Sequence, residues 1–184
     1  MKFAYAYSSI NPAKLTFVNL QQHSVLFALA AFSFLAPFLL HSQDFPNQLL
    51  VGSFVNALLA CSALYLTFKN SAPIILLPSI AAVLSGFVFG SFSPLLALFV
   101  PAIWLGNAAY VYVIKSLAVI GKLNYALSVI AAALLKATII GITAFALVAA
   151  GAVPAIFLFP MSVVQFATAL IGGLAAGATL YLRK

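Results

Sequence analysis

The sequence predicts an all-α integral membrane protein, six transmembrane helices in one bundle with both termini cytoplasmic. Three observations carry that expectation. Of the 184 residues, 66% are hydrophobic and only 5% charged, too few polar groups to clothe a water-facing surface. The apolar runs are roughly 18–26 residues long, enough for an α-helix to cross a ~30 Å hydrocarbon core and too long for the ~10-residue alternating strands of an outer-membrane barrel. The basic residues also partition cleanly. With six spans, Lys2, Lys14, Lys69, Lys115, Lys122, Arg183 and Lys184 all fall on one side, and the three opposite loops carry no Lys or Arg. By the positive-inside rule that side is the cytoplasm.

Residues 1–22 form an N-terminal cytoplasmic or interfacial segment and residues 23–184 the six-helix domain. Asn11-Pro12 gives a helix start, a capping residue followed by a proline suited to the first turn. The mixed stretch after it, with Lys14, Phe17, Val18 and Leu20, fits a short helix on the membrane surface. The first span covers about 24–40 and contains Pro37, which is expected to kink it or end it early. His41-Ser-Gln43-Asp44-Phe-Pro46 follows as a solvated turn or an outer lid, and His23 is expected at the membrane interface. The second span, about 47–68, is closed by Lys69-Asn70-Ser71. The third, about 73–90, is interrupted by Pro78, and Gly90-Ser-Phe-Ser-Pro94 turns the chain. The fourth runs over about 94–114 with Pro101 inside it, and Lys115 to Asn124 reads as the longest internal loop. The fifth covers about 125–150. Gly151-Ala-Val-Pro154 leads into the sixth, about 155–182, where Pro160 leaves two starts open: Pro154 with a kink, or Pro160 after a loop that dips into the membrane.

The fifth span holds the residue around which a function can be sought. At ~1.5 Å of rise per residue Lys136 lies about 16 Å from Tyr125, roughly halfway through the hydrocarbon core. An ammonium there costs on the order of 2.5–3.5 kcal/mol on insertion scales, so it normally faces the bundle interior or a wet cavity. Asn56, Asn107 and Gln165 sit at overlapping depths on the second, fourth and sixth spans, with Ser53 and Thr138 nearby on their own helices. Either each amide only bonds a neighbouring helix, or the three share a central or outer-half cavity with Lys136, walled by Trp104, Phe92, Phe99 and Tyr110.

Several function classes are excluded. One Asp, no Glu, one Cys and two distant His residues supply no carboxylate pair, metal-ligand cluster or Ser/His/Asp set, so neither an enzyme nor a metal or other cofactor is expected. The lone Cys61 lies in an apolar run, where it is most simply a small packing residue. No glycine-rich phosphate loop is present. The net charge of +7 comes from loop ends and tails and is a topology signal, not a nucleic-acid footprint. The near-absence of acids also argues against a cationic substrate. In the sixth span Ala169, Gly173 and Gly177 recur every four residues, with Gly172 and Ala176 as a second pair, a period that lets two helices approach closely. Packing inside the bundle is expected there.

Three stretches carry a resemblance. Asn47-Gln48-Leu-Leu-Val-Gly52-Ser-Phe-Val-Asn56-Ala-Leu-Leu, Val100-Pro101-Ala-Ile-Trp104-Leu-Gly106-Asn107 and Gln165-Phe-Ala-Thr-Ala-Leu-Ile-Gly172-Gly173 resemble small six-helix bacterial membrane proteins related to the substrate-binding S components of energy-coupling factor vitamin transporters. That resemblance implies a monomeric binder with its ligand site toward the outer half, docked on a transmembrane coupling protein driven by two ATPase subunits. Many S components carry Ala-x-x-x-Ala on the first helix for docking; here Phe32 follows Ala28 at that spacing, and Ser24 with Ala28 is the small pair.

The expected function is a substrate-binding subunit for uptake of a small neutral or anionic vitamin-like molecule across the plasma or inner membrane. Lys136 would pair with an anionic group, Asn56, Asn107 and Gln165 would orient the ligand, and Trp104 would pack on it. The rival from another class is a non-catalytic assembly subunit of a membrane complex, with its polar residues holding helices together and its sixth helix meeting a neighbour. An anion-conducting oligomer with Lys136 in a pore is a third possibility.

Overall fold

Most of this chain had to become helix, because apolar runs without an aqueous surface can satisfy their peptide groups only internally. The computed structural model describes residues 12–39, 45–86 and 89–181. Among the described residues there are six α-helices: α1 (Pro12–Leu39), α2 (Phe45–Tyr65), α3 (Ala72–Ser85), α4 (Val100–Ile114), α5 (Tyr125–Ala149) and α6 (Gln165–Tyr181). Three helical stretches are long and apolar enough to cross a membrane: Ser91–Ile120, Tyr125–Ala149 and Ala155–Ala178. Shorter apolar helical stretches are His23–Leu39, Leu49–Tyr65 and Lys69–Ser85. Phe27 (77% exposed), Leu105, Ile142 and Phe145 (68%) project from the outer faces, a surface of the kind that lipid covers.

Several boundaries differ from the sequence expectation. The segment from Pro12 continues unbroken into α1, so it is not a separate surface helix, and α1 passes through Pro37 to Leu39. Pro37 gives up the one ladder hydrogen bond its missing N–H would make to the carbonyl four residues before it, and the helix continues past it. Lys115 to Asn124 is not a long loop: a π-helical turn carries the chain on to Ile120. There the Lys115 amino group donates to the Ala63 carbonyl at 2.8 Å, tying the end of this helix to α2. α3 stops at Ser85 because Gly86 takes up a left-handed φ of 71°, and the Ser93 hydroxyl braces the following turn by donating to the Gly86 carbonyl at 2.7 Å. A 3₁₀ stretch, Gly90–Phe99, then leads into α4. Both proline signals before α6 are used. A 3₁₀ turn follows Pro154, a π-turn begins at Pro160, and the α-helix proper starts at Gln165. Lys2, His41, Gln43, Asp44, Arg183 and Lys184 lie outside the described residues.

The helices close a ring in the order α1, α3, α4, α5, α6, α2, and α2 also reaches α4 across the middle. Two apolar clusters fill it unevenly. One, containing Leu59, Ala63, Ile75, Tyr110, Ile114 and Val129, closes the end that carries the turns at Lys69 and Lys122. The other, containing Leu96, Phe99, Ile140, Phe157 and Met161, packs the opposite end beside α5, where Phe99 and Phe157 stack with centroids 5.2 Å apart. The glycines of α6 are engaged inside this ring. A Cβ at Gly172 would run into the α2 backbone at Ser53 and Ala57, one at Gly173 into Tyr110 and Val129, and one at Gly177 into the Tyr125 ring.

Candidate functional site

The buried face of α5 reads Ser128, Val129, Ala132, Ala133, Lys136, Ile140 and Ala144, a stripe at helical period with the lysine on its centre line. The helix is set in place by Asn124, whose side chain caps it by accepting from the Leu127 amide at 3.2 Å. Asn56 lies on the corresponding inward stripe of α2 with Leu59, Ala60 and Ala63, and Asn107 on that of α4 with Tyr110 and Ile114. Lys136, Asn56 and Asn107 are each at most 2% exposed. Gly106 makes room for the lysine: a Cβ there would sit 3.3 Å from Lys136 Cγ.

The Lys136 amino group donates to Asn56 Oδ1 at 2.6 Å and lies 5.6 Å from the centroid of the Tyr110 ring, within cation–π range. The other end of the Asn56 amide is also engaged, since Nδ2 donates to the Gly52 carbonyl at 2.8 Å and to Thr168 Oγ1 at 3.2 Å. Thr168 in turn donates to the Val164 carbonyl at 2.8 Å. One polar chain thus links α5 to α2 and α6. Among the described residues there is no carboxylate side chain, because Asp44 is the only acid in the sequence and lies outside them. An ammonium has three donors, and a single acceptor takes only one of them.

Asn107 behaves differently. Its Nδ2 donates to the Ile75 carbonyl at 3.0 Å, and its Oδ1 is buried with no hydrogen-bond partner among the described residues. Gln165 makes no side-chain hydrogen bond among the described residues, since the bond to this residue, from Thr168, goes to its backbone oxygen.

Lys136, Asn56, Asn107 and Gln165, proposed from sequence on four different helices, line one cavity of about 150 Å³. Trp104 does not line it. Its indole N–H donates to Ser79 Oγ at 2.7 Å and to the Leu76 carbonyl at 3.2 Å, so the ring is held against α3, which lines the cavity with Pro78, Ser79 and Ala82. The other expected walls are displaced as well: Phe92 is exposed, Phe99 is stacked in the second cluster, and Tyr110 hydrogen-bonds the Ala169 carbonyl at 2.7 Å. Ser53 and Thr138 are likewise absent from the lining, which is completed by Pro37, Phe89, Leu96, Ile103, Met161 and Thr168 among others. Thr168 and Ser79 are the polar lining residues that the sequence reading misses, and for Thr168 a signal existed, since it stands four residues before Gly172 on the small-residue face of α6.

The cavity lies away from the lysine-bearing turns. Pro37 lies near the end of α1, Val51 in the first half of α2 and Phe89 in the turn after α3, all in the half of the bundle opposite Lys69 and Lys122. Its volume matches that of an engineered apolar cavity of ~150 Å³ that takes up benzene, and is below the ~300–1,000 Å³ of ordinary ligand pockets. Chemically it offers donors at Lys136, a bare acceptor at Asn107, an uncommitted amide at Gln165, and otherwise apolar walls. Such a site can hold and orient a small molecule; it has no second ionisable side chain among its lining residues with which to move a proton. No protein-family model, curated protein or solved structure matches the chain.

Proposed function

We propose that this protein is the substrate-binding membrane subunit of an uptake transporter of the energy-coupling factor type, taking up a small neutral or anionic organic molecule. It is a six-span, multi-pass protein of the plasma or inner membrane with both termini in the cytoplasm. The ligand sits in the outer half of the bundle, and a transmembrane coupling protein with ATPase subunits supplies the energy. The observation that carries this proposal is Lys136, a buried amine with one amide acceptor among the described residues, facing a cavity in the half of the bundle away from the positively charged turns. Burying an ammonium is costly unless it is paired, and an anionic group on the ligand supplies the pairing. Asn56 serves by positioning the lysine, since its own amide is fully engaged. Asn107 and Gln165 orient the ligand.

The assembly subunit stays in view because one observation favours it: the Lys136–Asn56–Thr168 chain is the kind of interhelical link that holds a bundle together. The α6 glycines count against it, since they are occupied within the chain. Native mass spectrometry of the protein gently extracted from its host membrane separates the two. A retained organic anion that disappears in Lys136→Gln supports the binder. An empty protein in stoichiometric complex with other membrane subunits, with Lys136→Gln changing only stability, supports the assembly role.

A further inference from the structure

We infer that the cavity selects one chemical class: a compact organic anion about the size of a single ring, bearing an N–H or O–H donor besides its anionic group. This rests on the binding role just proposed and narrows it. Three features of the site specify the ligand.

The first is the direction of the Asn107 amide. Ile75 presents a carbonyl oxygen, which only the NH₂ end of the amide can meet, at 3.0 Å. The assignment of the amide's two ends is therefore fixed by its partner, and Oδ1 is left as a buried acceptor with nothing donating to it. A ligand that brings a donor satisfies it. One that does not seals a bare acceptor away from water, a loss that costs roughly tenfold or more in affinity. The second is Lys136, which among the described residues has donors without a partner and no carboxylate beside it, and so calls for an acceptor-only, negatively charged group on the same ligand. The third is size. A cavity of about 150 Å³ with Phe89, Leu96, Ile103 and Met161 in its wall fits one ring and rejects a fused pair unless the bundle opens.

The ligand comparison uses the wild-type chain in lipid nanodiscs, so that part of the test does not depend on any variant folding. Isothermal titration calorimetry compares benzoate, the three hydroxybenzoate isomers, phenol and 1-naphthoate. At least one hydroxybenzoate is expected to bind about tenfold or more tightly than benzoate, with phenol, which lacks the charge, and naphthoate, which lacks the fit, both far weaker. Asn107→Leu is then expected to bring that hydroxybenzoate down to the affinity of benzoate. Equal binding of benzoate and all three isomers overturns the donor requirement, and naphthoate binding as well as benzoate overturns the size limit. If no ring acid binds while native mass spectrometry finds another retained solute, the ligand class is wrong and the protein is still a binder. If neither a probe nor a retained solute is found, the binding role falls with it.

Discussion

Replacing Asn56 with leucine tests whether the polar link at the centre of the bundle has the strength that its geometry implies. The substitution keeps the branched shape and the number of heavy atoms, with somewhat bulkier methyl ends, and removes three hydrogen bonds. They are not equal. The bond to Gly52 is local and its carbonyl belongs to the α2 ladder, while the bond to Thr168 is long at 3.2 Å and Thr168 keeps its bond to Val164 at 2.8 Å. The loss is therefore concentrated on Lys136, whose 2.6 Å bond is short and charge-assisted, a type contributing about 1.5–3 kcal/mol. Polar links between membrane helices average only about 0.6 kcal/mol, because the separated helices find other partners. Lys136 has no described carboxylate to turn to, so the upper part of the range applies. We expect Asn56→Leu to destabilise by about 1.5–3 kcal/mol, Lys136→Met to cost about 1–3 kcal/mol by stranding Asn56 Oδ1, and the double variant to recover much of both. Steric trapping in bicelles measures the four unfolding free energies. A coupling energy of at least ~1 kcal/mol is expected from the cycle, and additivity within ~0.5 kcal/mol would refute the pairing.

Two further outcomes follow from the packing and from the proposed topology. Gly172→Ala places a methyl against the α2 backbone at Ser53 and Ala57, where neither side can yield by a rotamer change, so a loss of about 1–3 kcal/mol is expected in the same assay, and a neutral result would mean that α2 and α6 are not in backbone contact. For the six-span arrangement, a membrane-impermeant maleimide applied to intact cells should label Ala152→Cys but not Lys69→Cys or Lys122→Cys, each in a Cys61→Ala background; labelling of either lysine position from outside would invert or break the topology.

The helical class was legible in composition and run length, because apolar runs too long for barrel strands and with so few charges satisfy their peptide groups within a helix. The sequence by itself also determined that Lys136 is unusual, since its depth follows from counting residues along one helix, and it pointed to Asn56, Asn107 and Gln165 through their positions on other runs. Pro12 marked a helix start, though for a separate surface helix and not for the continuous α1, and the third span was expected to reach about residue 90, whereas α3 stops at Ser85, before the left-handed Gly86. Periodicity could not show which face of α5 turns inward, because every side of that helix is apolar and the stripe through Val129, Ala132, Lys136 and Ile140 has no polar counterpart opposite it. The ring order was equally hidden. α2 and α3 are joined by a short turn, yet α1 lies between them in the ring, and it is α6, over a hundred residues away in sequence, that lies against α2. Pairings of that kind are decided by which surfaces fit, here by Gly52 and Gly172 letting two backbones approach. Only that tertiary arrangement decided the work of each polar group. It set Thr168 beside Asn56, drew the Trp104 indole to Ser79 and away from the cavity, and left Asn107 with one end bonded and the other bare. A side chain's chemistry is written in its own residue, but whether a donor or acceptor is free depends on atoms supplied by other helices, and those meet only when the chain has folded.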